Sequence, residues 1–145
     1  VVGLMCLKIF VEGNDERYQH LVPFAQKLGS AFQKINFLRD IQSDAEERGR
    51  VYFPGLDLPN FTEEKKTEIV FEIEKELQDS LAGIYQLPAG VRLGVFLAYI
   101  YFRTLLGKMK AADSLDILQR RFRISNFKKC LLLIQSWLLF RFRFV

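Results

Sequence analysis

Residues 28–54 read LGSAFQKINFLRDIQSDAEERGRVYFP, and this stretch decides both the expected fold and the expected chemistry. Its apolar residues recur every three or four positions, which is the spacing of one helix face. At about 100° per residue, Gln33, Asn36, Asp40 and Asp44 share a stripe roughly 80° wide. The neighbouring positions are mostly apolar. We therefore predict a largely buried helix whose polar stripe lines a cleft.

The two aspartates of the stripe suggest a metal site. Asp40 and Asp44 are one helical turn apart, about 6 Å along the axis, and would repel each other without a cation between them. Mg²⁺, or Mn²⁺ in its place, binds through one or two carboxylates plus substrate phosphates. Arg39, Arg48 and Arg50 carry guanidinium groups that match phosphate oxygens. A surface ion-pair network built on Arg39 is the alternative interpretation of the same residues.

The flanking sequence is also helical in pattern, because no stretch shows the sustained alternation that is typical of strands. We predict an all-α chain forming a single unit over 1–145. Asn14, Thr62, and Ser125 or Asn126 are the expected N-caps. The expected helices cover 1–10, 14–47 with a bend near Pro23, 62–86, 89–112 and 126–141.

Two further local patterns lead to expectations about packing. Gly94 and Ala98 lie four residues apart on the fourth predicted helix, a spacing that would let a neighbouring helix approach closely. Asp113 and Asp116 follow the end of that helix, where we expect a turn.

Composition restricts the kinds of site and compartment. His20 is the one histidine, which excludes His-rich metal sites, and two cysteines cannot form a disulfide scaffold. We expect Cys6 and Cys130 to be buried thiols of a reduced compartment. No signal peptide is visible, and no apolar run reaches the roughly 20 residues of a spanning helix. These features favour a cytoplasmic location, with peripheral contact at a membrane as an open alternative.

Charge is unevenly spread along the chain. Residues 1–102 hold eleven Lys/Arg and fifteen Asp/Glu, whereas residues 103–145 hold ten Lys/Arg and two Asp. A basic tail suits nucleic acid, anionic lipid or a phosphorylated ligand, and a solvated basic surface is the alternative. No signature of a nucleic-acid-binding module accompanies the charge, so we expect no nucleic-acid partner.

The aspartate-containing stretch resembles the second aspartate-rich signature of the squalene/phytoene synthase family. Weaker similarities continue on both sides, through Leu87-Pro88 with Ala98 and Tyr101, and through Arg121 with Ile124-Ser125. The resemblance covers essentially the whole chain and is greatest to the bacterial phytoene synthases. The matching positions of the signature are Leu28, Gly29, Gln33, Asn36, Arg39, Asp40, Asp44, Arg50, Tyr52 and Pro54.

This resemblance implies the all-α bundle of the isoprenoid synthases, represented by its C-terminal half. It also implies a Mg²⁺-dependent prenyltransferase, which joins two geranylgeranyl diphosphates head to head into phytoene through a cyclopropyl diphosphate. The metal ions and arginines would stabilise the leaving diphosphate, and an apolar cavity would keep water from the carbocations.

The resemblance also assigns roles to residues. Asp40 and Asp44 would be catalytic metal ligands. Tyr101 is a weaker catalytic candidate. The expected substrate-binding residues are Gln33, Asn36, Arg39, Arg50 and, on a shorter match, Arg121.

One departure from the family pattern affects the expected activity. The family uses another D-x-x-x-D motif on an earlier helix, and this sequence contains only the Asp40/Asp44 pair. We therefore expect the C-terminal part of a longer active site, inactive alone, whose uncovered helix faces favour a homo-oligomer or helix-exchanged dimer. Two alternatives stay open. One is a squalene or hydroxysqualene-type synthase acting on farnesyl diphosphate, and the other is a non-catalytic helical module with a weak diphosphate site.

Overall fold

The computed structural model describes the backbone of residues 1–48 and 61–143, and the side chains of residues 1–41, 61–140 and 142. Within these ranges the chain is helical and contains no strand, which confirms the expected all-α class. The helices are α1 Val2–Phe10, α2 Asp15–Arg48, α3 Glu63–Gln86, α4 Ala89–Lys110, α5 Ser114–Gln119 and α6 Asn126–Arg143.

The predicted helix starts are confirmed by side-chain caps. The side-chain oxygens of Asn14, Thr62 and Ser125 each accept a hydrogen bond from the backbone N–H three residues later, at 2.9, 3.4 and 3.3 Å. These bonds satisfy backbone donors that the first helical turn leaves unpaired. Between the two candidates for the last helix, Ser125 is therefore the cap.

One expectation about the connecting segments needs revision. The turn expected around Asp113 and Asp116 is instead the start of a six-residue helix, α5. Ile117 on this helix is buried, and α5 packs against α2. The second predicted helix is one helix from Asp15 to Arg48 with Pro23 inside it, and the bend expected near Pro23 stays a prediction.

Helix α2 runs antiparallel to α3, and ion pairs fix their relative position. Lys27 Nζ lies 2.6 Å from Asp79 Oδ2, and Lys34 Nζ lies 2.7 Å from an oxygen of both Glu72 and Glu76. Burial alone would lower the pKa of Lys34, but the two carboxylates outweigh it and the pKa is raised. Lys34 is thus held as a cation between α2 and α3.

The main core lies where α2, α3 and α4 meet and extends to α5 and α6. A smaller apolar cluster joins α1 to α2, and Gly13, with φ of +77°, lets the chain reverse between these two helices. Helix α4 is the one described helix long and apolar enough to cross a membrane, although it packs against α2, α3 and α6. The main core includes Ile35, Leu38, Ile73, Leu105, Leu106 and Met109.

The expectation that Cys6 and Cys130 are both buried is wrong. Cys6 on α1 is half-buried, but Cys130 on α6 is exposed to solvent. The reason is that α6 buries a narrow face, centred on Leu132 and Ser136, against the part of the chain that the structure describes.

Candidate functional site

Asp40 on α2 is the centre of a charged cluster. Arg39 donates from Nε to Oδ1 at 3.1 Å and from Nη2 to Oδ2 at 2.6 Å. Arg121, in the segment between α5 and α6, places Nε 2.7 Å from Oδ1 and Nη2 3.4 Å from Oδ2. Two guanidinium groups therefore face one carboxylate, whose side chain is 19% exposed.

These contacts determine the charge state of Asp40. Partial burial by itself would raise the pKa of its carboxyl, but the hydrogen bonds and charges of Arg39 and Arg121 act oppositely and prevail. The net result is a lowered pKa for Asp40 and a raised pKa for Arg39. The repulsion that we expected Asp40 to experience from Asp44 is thus offset by the positive charges of Arg39 and Arg121.

Aromatic side chains lead from this cluster along α2 and α4. Tyr101 lies close enough to Arg39 to interact with it electrostatically. This interaction helps to raise the pKa of the Arg39 guanidinium, although Asp40 has the larger effect. The ring of Tyr101 meets Phe102 edge-on, with centroids 5.4 Å apart. Phe102 in turn stacks on Phe32 with centroids 4.1 Å apart. Phe32 belongs to the wall of an apolar cleft, so the aromatic contacts connect that cleft to the charged cluster.

The cleft lies between α1, α2, α3 and α4 and encloses about 500 Å³. This volume is in the range typical of small-molecule sites, about 300–1,000 Å³. Among the described residues that line it, only Cys6 and Ser80 have a polar atom in the side chain. The hydroxyl of Ser80 is already bonded to the carbonyl oxygen of Leu77 at 2.7 Å. The wall also contains Phe10, Phe24, Phe32, Val91 and Val95.

Glycines give the cleft its space. A Cβ added at Gly29, Gly90 or Gly94 would meet no atom within 4 Å. The expectation that Gly94 and Ala98 admit a neighbouring helix is therefore wrong for Gly94, because both residues line the open cleft. The close approach occurs at Gly83 instead, where an added Cβ would lie 2.2 Å from the Cβ of Phe24.

A second concavity, of about 450 Å³, adjoins the charged cluster through Arg121. It lies between the end of α4, α5 and the segment that follows α5. Asp113 and Asp116 also line it, and Arg120 pairs with Asp116 at 2.6 Å. Its cationic side chains are Lys108, Arg120, Arg121 and Arg123.

The remaining predicted site residues are placed as follows. Asn36 is half-buried one turn before Asp40, whereas Gln33 is exposed. Asp44 belongs to α2, but its side chain lies outside the described residues, as does Arg50 entirely. The structure thus brings together Arg39, Asp40, Tyr101 and Arg121.

The described side chains can be compared with what Mg²⁺ requires. Among residues 1–41 and 61–140 no group of three or more His, Cys, Asp and Glu could hold a metal ion. Asp40 supplies one hard carboxylate, which fits Mg²⁺ when substrate phosphates provide other ligands. The arginines now on Asp40 would have to give way to such a metal. Asp40 alone would not retain it.

The chain matches the family model "Squalene/phytoene synthase" over residues 1–128. The chain belongs to the squalene/phytoene synthase family. It is 31% identical to a protein of Thermus thermophilus named phytoene synthase, in an alignment covering 81% of this chain and 45% of that protein. The chain therefore spans less than half the length of this relative. No solved structure gives a significant match.

The resemblance implied an apolar cavity, but sequence reasoning could not predict which residues line it and missed the second concavity, because both are formed by residues from several helices. Cys6, Phe10 and Gly83 have no local signal that marks them as cleft residues. For Lys108 and Arg123, the excess of positive charge after residue 102 was the available signal, and it did not indicate a location.

Proposed function

We propose that the chain provides the C-terminal part of a prenyltransferase active site that joins two geranylgeranyl diphosphates head to head into phytoene, with Mg²⁺. The observation that carries this proposal is the arrangement along α2 and α4. An apolar cleft lies beside one half of α2, and a cationic cluster around a carboxylate lies further along the same helix. An allylic diphosphate has the same two parts, a long apolar tail and a multiply charged head.

The cleft would hold the prenyl tail. Its wall is almost entirely apolar, and the glycines leave room where side chains would otherwise stand. Binding a hydrocarbon chain there removes apolar surface from water, which stabilises the complex without directional bonds. The same wall would limit the access of water to a carbocation at the head of the tail.

The charged cluster would hold the diphosphate. Arg39 and Arg121 carry forked donors suited to phosphate oxygens, and Lys108, Arg120 and Arg123 lie around the adjoining concavity. Asp40, with Asp44 one turn later, would hold Mg²⁺, which neutralises charge on the departing diphosphate. Tyr101 would stand between tail and head, close to Arg39.

Product formation would require more than this chain. Its sequence has one D-x-x-x-D motif, whereas the reaction implied by the family resemblance uses two such motifs. The chain would act in the cytoplasm, completed by a segment or second polypeptide that carries the other motif. A synthase that uses farnesyl diphosphate would need the same two parts, an apolar site for the tail and a cationic site for the diphosphate. The binding experiment below therefore compares the two substrate lengths.

Metal-dependent binding tests the proposal directly. Titration calorimetry with a non-hydrolysable geranylgeranyl diphosphate analogue should give binding with Mg²⁺ and much weaker binding in EDTA. Asp40→Asn should weaken binding about tenfold, whereas Asp79→Asn, which removes a carboxylate from the distant Lys27 pair, should not. Equal binding in EDTA would contradict the metal role, and a preference for the farnesyl analogue would favour the shorter substrate.

Turnover is the second test. The purified chain with geranylgeranyl diphosphate and Mg²⁺ should form no phytoene. Co-expression with the upstream half of a related synthase should restore some product, and Asp44→Ala should abolish it. Phytoene made by the chain alone would show that no second motif from outside is needed.

A further inference from the structure

Lys66 on α3 is a buried lysine, with only 3% of its surface exposed. Its Nζ donates to the carbonyl oxygens of Ala112 and Lys110, the latter at 3.4 Å. Lys110 is the last residue of α4, and Ala112 lies in the turn between α4 and α5. The last carbonyls of a helix have no partner within it, and a buried ammonium is costly unless it is hydrogen-bonded. Lys66 and the end of α4 therefore satisfy each other.

Glu63, one turn earlier on α3, extends this contact to α5. Its Oε1 pairs with Nζ of Lys66, and its Oε2 accepts a hydrogen bond from the backbone N–H of Ser114 at 2.9 Å. Ser114 is the first residue of α5, and the side chain of Asp113 before it makes no capping hydrogen bond. A side chain of α3 thus supplies the cap that α5 does not obtain from its own N-cap residue.

Helix α5 leads directly to Arg121. It has six residues, ends at Gln119, and is too short to be stable without tertiary contacts. Ile117 of α5 is buried, and α5 packs on α2. Beyond α5, Nζ of Lys108 donates to the carbonyl oxygen of Arg123 at 2.9 Å. The position of Arg121 therefore depends on these anchors, and the pair on α3 is the anchor at the start of α5.

We propose that Lys66, together with Glu63, is a positioning residue that holds the guanidinium of Arg121 at Asp40 through the turn between α4 and α5. Lys66 contacts neither Arg121 nor the ligand, and it acts by fixing the start of α5. This proposal rests on the proposed function for the ligands of Arg121 and Asp40. The contact between those two residues is a feature of the structure itself, with Nε and Oδ1 2.7 Å apart.

The first experiment needs no ligand. Arg121→Gln should raise the equilibrium constant of unfolding in urea about fivefold, because the contact with Asp40 is lost. Lys66→Met keeps a long side chain without a donor, so the contact is already weakened, and Arg121→Gln should then change that constant less than about twofold. Lys110→Met is the matched control, since Nζ of Lys110 also joins α4 to α3, through Glu74 at 2.8 Å. There, Arg121→Gln should keep its full effect.

The second experiment measures two ligands of the same site. In Lys66→Met, Asp40 loses a competing cation and should bind Mn²⁺ alone more tightly, by up to about tenfold. The non-hydrolysable geranylgeranyl diphosphate analogue should bind more weakly by a similar factor, because Arg121 no longer stands ready for the phosphate. A change that merely loosened the fold would weaken both ligands. Lys110→Met should bind both ligands like wild type.

Glu63→Ala keeps the proposal testable if Lys66→Met does not fold. The side chain of Glu63 is 54% exposed, so its removal leaves the core intact. The substitution nevertheless removes both the acceptor for the N–H of Ser114 and the ion-pair partner of Lys66. It should therefore reproduce the results of both experiments in the same direction. Circular dichroism should show the helicity of wild type.

Two outcomes would overturn the proposal. One is a full effect of Arg121→Gln on unfolding in the Lys66→Met and Glu63→Ala backgrounds, whether or not the analogue binds. The other is parallel weakening of Mn²⁺ and the analogue, which would make Lys66 a cap that only stabilises the fold. If the wild-type chain binds neither ligand, the proposed function fails, and the urea experiment still decides whether Lys66 positions Arg121.

Discussion

Arg121 and Asp40 are 81 residues apart in sequence, yet the guanidinium Nε of Arg121 lies 2.7 Å from Oδ1 of Asp40. This contact joins the segment after α5 to helix α2. It also means that a carboxylate proposed to hold a metal is already paired with a cation from a distant part of the chain. Metal binding and the Arg121 contact should therefore compete for Asp40.

The competition predicts opposite effects of one substitution on two ligands. Arg121→Gln should raise the affinity of the chain for Mn²⁺ alone, by up to about tenfold, because a competing cation leaves Asp40. The same substitution should lower affinity for the prenyl diphosphate analogue, because a phosphate donor is lost. Electron paramagnetic resonance of free Mn²⁺ and calorimetry measure the two. Arg103→Gln, an exposed arginine of α4, is the control, and a loss of Mn²⁺ affinity in Arg121→Gln would refute the competition.

Asp40 should contribute stability that depends on pH. Its folded-state pKa is lowered from 3.8, so the folded chain favours the ionised carboxyl more than the unfolded chain does. The stabilisation is therefore complete above the unfolded pKa and is lost as pH falls through the lowered folded pKa. Asp40→Asn should reduce the free energy of unfolding by about 1 kcal/mol at pH 7, and the stabilities of the two proteins should converge as the pH falls through the lowered folded-state pKa of Asp40.

Urea denaturation at several pH values checks this expectation. Asp15→Asn, which removes an exposed partner of Lys8, should change stability by less than about 0.5 kcal/mol. If relief of repulsion between Asp40 and Asp44 dominated instead, Asp40→Asn would be more stable than wild type at pH 7.

Two glycines of the cleft should respond oppositely to alanine. Gly83→Ala would place a Cβ 2.2 Å from that of Phe24, so α3 and α2 would have to separate. We expect a loss of about 1–3 kcal/mol in the free energy of unfolding. Gly94→Ala meets open space and should add up to about 1 kcal/mol through helix propensity. Thermal and urea denaturation would distinguish these signs, and equal effects would refute the close approach at Gly83.

Filling the cleft should weaken binding of the prenyl tail of a ligand and leave binding of its diphosphate unchanged. Gly94→Leu should weaken binding of the geranylgeranyl analogue at least about tenfold, with little effect on inorganic diphosphate. Gly107→Leu provides the matched control, since Gly107 is also on α4 with open space around it but lies outside the cleft. Equal loss in both variants would show that the cleft is not the tail site.

The sequence predicted the helices well where their signals are local. The side chains of Asn14, Thr62 and Ser125 each accept a hydrogen bond from the backbone N–H three residues later. Such caps can be predicted without knowledge of the tertiary structure. Helix α5 was missed because six residues give too little periodicity, and the burial of Ile117 that accompanies it depends on packing against α2.

The candidate site was accessible to sequence reasoning only in part. Asp40 and its stripe follow from helical spacing, and the resemblance added Arg121 as a candidate. The contact between them is non-local, and spacing cannot give it. Gly94 shows the same limit, because a small residue on a helix suits a close neighbour and an open cleft equally well. The surrounding helices decide which of the two occurs.

Helix α2 also fixes the angle, about its own axis, between the cleft and the carboxylate of Asp40. Gly29 borders the cleft and Asp40 follows eleven residues later, about 16 Å along one uninterrupted helix. Inserting a single residue between them would turn Asp40 by about 100° relative to the cleft, away from Arg121. Inserting seven would nearly restore the direction but lengthen the separation by about 10 Å. This part of the chain can therefore diverge by substitution far more readily than by insertion or deletion.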